Sequence, residues 1–467
     1  MNVRIRQWFT LLLGRPERGL SDSELKSLER NRVVVLTAMA SAFNKGVTML
    51  TVIAAISWTL PYLGETLTGA WLIIISLFAV LAFMDLGLGN AMTNYASNGL
   101  IAGPHTLQRE VSVGIVLLLI LGVVLTVCAL LLIEYVSWQP LFKIPPTELA
   151  VVDTEISNAL TLFASLFGLH LLTNGVIRTM VGMQQAHIVY LFQTFMGVLG
   201  LALLFFLTEV NSGLTTLLAC IMAPQIVTGF VFLLKLIRTD VFNFRTGIIN
   251  LPLHWRTFLS LGGSFFVLQI CATLGWGADA LIISSTLGTA AVTPFIICQR
   301  IFQFASQPVS ILVTPLWPAY ANAAAGGDKA YIRKMLLLSM ACAAFVGGVL
   351  ILAIIFLAPA LIDLLVDDHV SVPLKLIAIY GGWVFLEILG ATFAMFLNGM
   401  GIVRLQAVIA LLYVAVSLPL KFWAVQHGGI ESLILTGIVC YFALVVLPYT
   451  FFVLRNQSFR MFFSTKS

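Results

Sequence analysis

The stretch MDLGLGNAMTNYAS, from Met84 to Ser97, closes the second long apolar segment of the chain. It has the position of the inner end of a membrane-spanning helix, yet it carries an aspartate, two glycines and two asparagines. Each of these residues is a poor choice for a helix that only faces lipid. We therefore expect this helix to make a close, polar contact with other helices.

The composition of the whole chain is that of a polytopic membrane protein. Of its 467 residues, 60% are hydrophobic and 10% are charged, and the mean hydropathy is +1.02. Soluble domains carry about 25% charged residues and lack repeated apolar runs of about 20 residues. No polar stretch is long enough to form a soluble domain, and the apolar runs are too long for the strands of a barrel.

Twelve apolar windows have the length of a membrane-spanning helix. The predicted fold is therefore all-α and polytopic, with twelve transmembrane helices in two six-helix lobes around a central cavity. The predicted domains are a cytoplasmic arm (1–32), an N-lobe (33–238), a cytoplasmic linker (239–256), a C-lobe (257–455) and a cytoplasmic tail (456–467). The predicted spans are 33–60, 68–95, 110–136, 156–182, 187–208, 213–236, 257–285, 289–320, 333–358, 374–398, 402–424 and 430–455.

The distribution of basic residues predicts the orientation. With both termini in the cytoplasm, twenty of the 25 lysines and arginines fall on the inner side, and three fall on the outer side. A repeat of six spans is also indicated, because Tyr95-Ala96 at the end of the second span aligns with Tyr320-Ala321 at the end of the eighth.

Five ionisable residues are predicted deep inside spans: Lys45, Asp85, Asp279, Arg300 and Glu387. Each would cost about 2.5–3.5 kcal/mol at the centre of a lipid-facing helix, and five would cost on the order of 12–17 kcal/mol. That sum is comparable with the stability of a whole protein. We therefore expect these side chains to face the bundle interior, one another or water.

Two of the five lie on polar stripes. Lys45 shares one helix face with Ser41, Asn44 and Thr48, and Arg300 shares another with Gln303, Gln307 and Ser310. Such stripes are typical of helices that line a wet cavity. Lys45 and Arg300 are therefore candidate substrate-binding residues, with Asn44, Gln303 and Gln307 as neutral neighbours.

The other charges leave alternatives open. Asp85 and Asp279 are predicted to have structural or gating roles, and two bridges, Lys45 to Asp85 and Arg300 to Asp279, are alternatives. Three roles stay open for Glu387: it could be a proton site, a partner for a basic residue or a protonated core acid. The remaining gate or structural candidates are Asn90, Asn94 and Arg178, and Lys421 is expected at the outer end of its span.

MDLGLGNAMTNYAS resembles the second-span signature of the polysaccharide exporters of the multidrug/oligosaccharidyl-lipid/polysaccharide (MOP) superfamily, the flippases of O-antigen (Wzx) type. The stretch TPLWPAYANAAAGGD, Thr314 to Asp328, is also similar to theirs. The resemblance implies a carrier that moves undecaprenyl-pyrophosphate-linked oligosaccharide from the inner to the outer leaflet of a bacterial plasma membrane by alternating access. It implies that Lys45 and Arg300 bind the pyrophosphate and acidic sugars.

The implied partners are the lipid-linked oligosaccharide and membrane lipids, with a polysaccharide polymerase and a chain-length regulator as further candidates. No cofactor, metal or nucleic acid is expected, and coupling to a proton or sodium gradient through Asp279 or Glu387 is left open.

The nearest alternative is an ion-coupled multidrug exporter of the same superfamily. A membrane-embedded glycan polymerase, ligase or glycosyltransferase is a further alternative, but the chain has no GxxxxGK loop and no metal-ligand cluster. We therefore predict that it is not an enzyme.

Overall fold

The computed structural model describes residues 27–51, 54–55, 58, 74, 85–135, 149–209, 213–288, 291–366 and 372–455. Regular structure in these residues is helical throughout. The first helices are α1 Ser27–Thr51, α2 Leu88–Ala102, α3 Pro104–Tyr135, α4 Leu149–Gly182, α5 Ala186–Glu209, α6 Leu214–Arg238 and α7 Phe244–Leu287. They are followed by α8 Val292–Val313, α9 Leu316–Ala325, α10 Lys329–Val366, α11 Leu374–Gly399, α12 Val403–Tyr441, a π-helical turn Phe442–Val446 and α13 Leu447–Arg455.

Ten helical segments of the described chain are long and apolar enough to cross a membrane. They correspond to eleven of the twelve predicted spans, because the segment Val403–Phe452 covers most of the last two. Most of the remaining span, predicted at 68–95, lies outside the described residues. Most of the predicted arm at 1–32 and the whole predicted tail at 456–467 also lie outside them.

Two predicted connections are largely helical in the structure. The gap between the spans predicted at 402–424 and 430–455 is a kink inside α12, where Gly429 has φ 70° and ψ −163°. Much of the linker expected at 239–256 forms the start of the 44-residue helix α7. Basic residues such as Arg245 and Arg256 lower the hydropathy of this segment, but they do not prevent it from being helical.

The chain divides into two compact units, Met1–Gly263 and Ser264–Ser467. In the first unit, the short helix α2 packs against the long helices α3 and α4, and α4 also packs against α5 and α6. In the second unit, the short helix α9 packs against the long helices α10 and α11, and α11 also packs against α12. Each unit therefore contains a short helix that precedes and contacts two long ones.

One apolar face of α2 packs into the buried core of the first unit. Leu88, Met92 and Ala96 recur at intervals of four residues and are buried together. Gly114 on α3 leaves room for the Met92 sulfur, and a side chain there would collide with it. Phe258 of α7 also belongs to this cluster, so the start of α7 completes the first unit.

Each unit contains a close helix contact at a glycine. Gly182, the last residue of α4, meets α2 so closely that a Cβ would collide with Ala96. Gly399, the last residue of α11, meets α9 so closely that a Cβ would collide with Tyr320 and lie 3.0 Å from the backbone nitrogen of Ala321. Since Ala96 and Ala321 are aligned in the sequence repeat, this contact agrees with the predicted duplication.

Candidate functional site

Lys45 lies on α1 with its side chain exposed. Its neighbour Asn44 is half-buried and ties α1 to α5, because the Thr194 hydroxyl donates to the Asn44 amide oxygen at 2.9 Å. That contact holds the stripe in a fixed orientation on the first unit. Lys45 is therefore accessible at the surface of its unit, as a ligand-binding cation must be.

The polar stripe predicted on the eighth span lies on α8. Arg300, Gln303 and Gln307 are all exposed, whereas Phe302 and Val309 on another face of the same helix are buried. The helix thus packs its apolar face into the second unit and leaves its cation and two amides accessible. These groups could bind a phosphate through the guanidinium and sugar hydroxyls through the amides.

Proline has two different positions on α8. Pro308 lies inside the helix, where the missing N–H leaves a carbonyl without its usual partner. Pro294 lies in the first turn, where an N–H has no partner within the helix in any case. Of the two prolines, only Pro308, next to the stripe residue Gln307, lies where it can bend the helix.

The aspartate of the opening stretch organises the turn before α2. Its carboxylate accepts the backbone N–H of Gly87 at 2.8 Å and that of Gly89 at 3.1 Å, and only 3% of Asp85 is exposed. Leu86 and Gly87 are both left-handed, with φ of 52° and 70°. Asp85 therefore binds the free N–H groups that the start of a helix leaves.

Gly89 brings two helices together at the same place. A Cβ on this glycine would lie 2.6 Å from the Asp85 carboxylate and 3.5 Å from the stem of Arg178 on α4. Arg178 also interacts electrostatically with Asp85. The contacts of Asp85 are thus with Gly87, Gly89 and Arg178, and the alternative bridge from Lys45 is not among them.

The polar contact between α2 and α4 is made by residues that the sequence did not single out. The Thr93 hydroxyl donates to the backbone oxygen of Arg178 at 3.3 Å, and the Ser97 hydroxyl donates to that of Gly182 at 2.8 Å. Of the two asparagines predicted for this role, Asn90 is half-buried and Asn94 is buried. The spacing of four residues between Thr93 and Ser97 is the signal that could have identified them.

The second unit contains a buried ion pair. Lys421 on α12 donates to the Asp279 carboxylate on α7 at 2.7 and 3.0 Å, and to the backbone oxygen of Gly275 at 3.2 Å. Only 1% of Lys421 and 6% of Asp279 are exposed. The alternative bridge between Asp279 and Arg300 is therefore wrong, because Asp279 is paired with Lys421.

The expectation that Lys421 reaches the outer surface from the end of its span was also wrong. The predicted span stopped at 424, which put this lysine at a helix end from which it could reach the outer surface. In the structure, the helix continues to the kink at Gly429, about 12 Å along the helix axis from Lys421. Lys421 does not reach the surface, because it is buried and paired internally with Asp279.

Trp383 and Gly437 of the second unit lie close to the lysine of the ion pair. The Lys421 ammonium lies 5.6 Å from the centre of the Trp383 ring on α11. A Cβ on Gly437 would be 3.0 Å from the end of the lysine chain, so the glycine makes room for it. Glu387, one helical turn after Trp383, is half-buried on α11.

In the part of the chain that the structure describes, no three His, Cys, Asp or Glu side chains are grouped as a metal site.

No family model matches the chain, and no curated protein sequence matches it. Solved structures match nearly its whole length. An outward-facing multidrug resistance MATE family transporter of the MOP superfamily matches with a TM-score of 0.75 and 14% identity, over 97% of this chain and 100% of that one. The Vibrio cholerae MATE transporter VcmN in its bent form matches with a TM-score of 0.76 and 17% identity, over 94% and 100% of the two chains.

A third match is a MOP superfamily transporter from Pyrococcus furiosus, for which a reverse polarity of the binding pocket suggests a different function. Its TM-score is 0.73 and its identity 13%, over 96% of this chain and 100% of that one. The chain therefore has the fold of the MOP superfamily, and more particularly that of the MATE transporters. The predicted all-α, polytopic membrane fold is confirmed.

Proposed function

We propose that this protein is a membrane transporter that carries an anionic, lipid-linked oligosaccharide from the inner to the outer leaflet by alternating access. The substrate class is undecaprenyl-pyrophosphate-linked oligosaccharide, such as an O-antigen repeat unit. The fold supports the transporter class. The sequence resemblance of Met84–Ser97 and Thr314–Asp328 to polysaccharide exporters supports the substrate.

The observation that carries the substrate proposal is the exposed stripe of Arg300, Gln303 and Gln307 on α8. A permanently charged guanidinium flanked by neutral amides suits a diphosphate followed by sugars. Lys45 adds a second accessible cation on α1. The Pyrococcus furiosus transporter is a precedent for this fold with a binding pocket of different polarity.

In the proposed cycle, the headgroup enters from the cytoplasm, Lys45 and Arg300 are each candidate cations for its phosphates, and the prenyl tail stays in lipid. The protein would lie in a bacterial inner membrane with both termini in the cytoplasm. Coupling to a proton or sodium gradient is part of the proposal. Of the two candidate acids, Asp279 is already held by Lys421, so Glu387 is the first to examine.

The test replaces Arg300 by Ala and by Lys in cells that lack the native copy, with surface polysaccharide measured at matched protein levels. We expect Arg300→Ala to lower the output about tenfold or more and Arg300→Lys to retain part of it, because lysine keeps the charge but not the planar fork. The control is Arg238→Ala, which removes an exposed arginine at the end of α6. Normal output from Arg300→Ala would overturn the assigned role.

A multidrug exporter is the second candidate, because the matched structures include a multidrug resistance transporter. This function predicts that deletion raises drug susceptibility and leaves surface polysaccharide unchanged. It also predicts drug-dependent ion flux in reconstituted vesicles. The flippase proposal predicts the opposite result in both assays.

A further inference from the structure

A cluster of basic and amide side chains lies at the predicted inner end of the first unit, where its residue on α1 is Arg32, more than three helical turns before Lys45. It consists of Arg32 on α1, Gln184 and Gln185 in the turn after α4, His187 in the first turn of α5, and Lys235 in the last turn of α6. We call these five residues the inner basic cluster. Three helices and one turn thus contribute to it, so the fold and not a single sequence motif creates it.

Backbone geometry fixes the turn that carries the two glutamines. The N–H of Gln184 donates to the Val181 oxygen at 3.0 Å, and that of Gln185 donates to the Met180 oxygen at 2.9 Å. Lys235 then donates to the side-chain oxygen of Gln185 at 2.6 Å, which joins the end of α6 to this turn. The ammonium of Lys235 is therefore held in place while two of its three protons stay available.

Two basic side chains act on the histidine of the cluster. His187 interacts electrostatically with Arg32 and with Lys235, and both of these neighbours are basic. The acids Glu29 on α1 and Asp240 after α6 are exposed. Like charges gathered in this way repel one another, and an anion between them would relieve the repulsion.

Unused hydrogen-bonding groups point to the same ligand. The side-chain nitrogen of Gln184 and Nδ1 of His187 are buried, and neither has a hydrogen-bond partner among the residues that the structure describes. Buried polar groups are nearly always satisfied in folded proteins, so these two atoms are hydrogen-bonding groups that a polar ligand could use. The first turn of α5, which carries His187, adds the partial positive charge of a helix N-terminus.

We propose that the inner basic cluster binds a phosphate-bearing group at the cytoplasmic membrane surface. Guanidinium, ammonium and amide donors are the groups that proteins use for phosphate oxygens. Basic pockets between helices on the cytoplasmic side of membrane proteins bind lipid headgroups through the same chemistry. The proposal concerns the first unit alone and does not depend on the role assigned to Arg300.

The test uses the purified full-length protein at low salt, with inorganic pyrophosphate as the soluble probe in calorimetric titrations. The lipid probe is phosphatidic acid in phosphatidylcholine nanodiscs, with retained lipid measured by native mass spectrometry. We expect Lys235→Gln to weaken binding about tenfold, and Lys235→Arg to retain it because the charge is kept. Arg32→Gln should weaken binding to a similar extent.

The matched control is Lys334→Gln, which removes an exposed lysine on α10 of the second unit. Binding of both probes in competition would support a shared phosphate site. Binding of phosphatidic acid alone would assign the site to lipid, and binding of pyrophosphate alone would assign it to a soluble phosphate. The proposal is overturned if neither probe binds, if Lys235→Gln binds like the wild type, or if Lys334→Gln weakens binding equally. Surface polysaccharide output is not the readout, so the flippase proposal and this one can fail separately.

Discussion

The two units hold their buried aspartates in different ways. In the first unit, Asp85 is bound by the N–H groups of Gly87 and Gly89, two and four residues further along the chain. In the second unit, Asp279 is bound by Lys421, which is 142 residues away. One carboxylate therefore stabilises a local turn, and the other joins two distant helices. A buried acid in a membrane protein is thus not by itself evidence for an ion pathway.

The largest effect that follows from this difference concerns Lys421. Replacing it by methionine would leave the Asp279 carboxylate buried and without its partner. We expect the folded state to lose about 3–5 kcal/mol, seen as a lower melting temperature and a poor yield of monodisperse protein in detergent.

The double variant Asp279→Leu/Lys421→Met is the control, because it removes both charges and leaves apolar side chains of similar size. Such replacements are often neutral or stabilising, so we expect it to melt near the wild-type temperature. If the single variant is as stable as the wild type, or if the double variant is as unstable as the single one, the pair does not have the proposed structural role.

The same two aspartates show what the sequence could and could not predict. Local features such as the exposed Arg300 stripe follow from spacing along one helix, and they were predictable. The partner of Asp279 was not, because pairing between α7 and α12 depends on how helices pack, which no spacing in the sequence records. The burial of Lys421 was missed for a related reason, since hydropathy marked a boundary at 424 where the helix in fact continues.

Asp85 should show a smaller effect than Lys421. Asp85→Ala removes the acceptor for two buried backbone N–H groups, and leaving a buried donor unsatisfied costs about 1–3 kcal/mol. We expect a lower melting temperature without the collapse in yield predicted for Lys421→Met. Asp85→Asn keeps one acceptor oxygen and should fall between Asp85→Ala and the wild type.

If Asp85→Ala is instead as damaging as Lys421→Met, the carboxylate does more than close its own turn. Its interaction with Arg178 would then be the first contact to examine. The matched variant for that purpose is Arg178→Gln, which removes the charge and keeps a polar side chain of moderate length.

The turns that end α4 and α11 provide a finer comparison. In each turn, one N–H reaches back five residues and another reaches back three: Gln185 to Met180 and Gln184 to Val181 in the first, Ile402 to Leu397 and Gly401 to Asn398 in the second. This is the bonding pattern of a Schellman motif. The left-handed position is Gln184 in the first unit, with φ 62°, and Gly401 in the second, with φ 72°.

The smallest predicted effect follows from this exchange of residue type. Glycine adopts the left-handed conformation without steric strain, whereas for other residues this conformation costs roughly 1–2 kcal/mol. Glycine also makes the unfolded chain more flexible, which lowers the stability of the folded state and offsets part of this difference. We expect Gln184→Gly to raise the stability by about 1 kcal/mol or less, and the reverse substitution Gly401→Gln to lower it by a similar amount. Thermal unfolding of the two variants in the same detergent checks both.

If both variants lower the stability, Gln184 contributes contacts through its side chain that outweigh the strain of its backbone. In that case the turn after α4 is stabilised by its own surroundings, and its likeness to the turn after α11 is limited to the backbone.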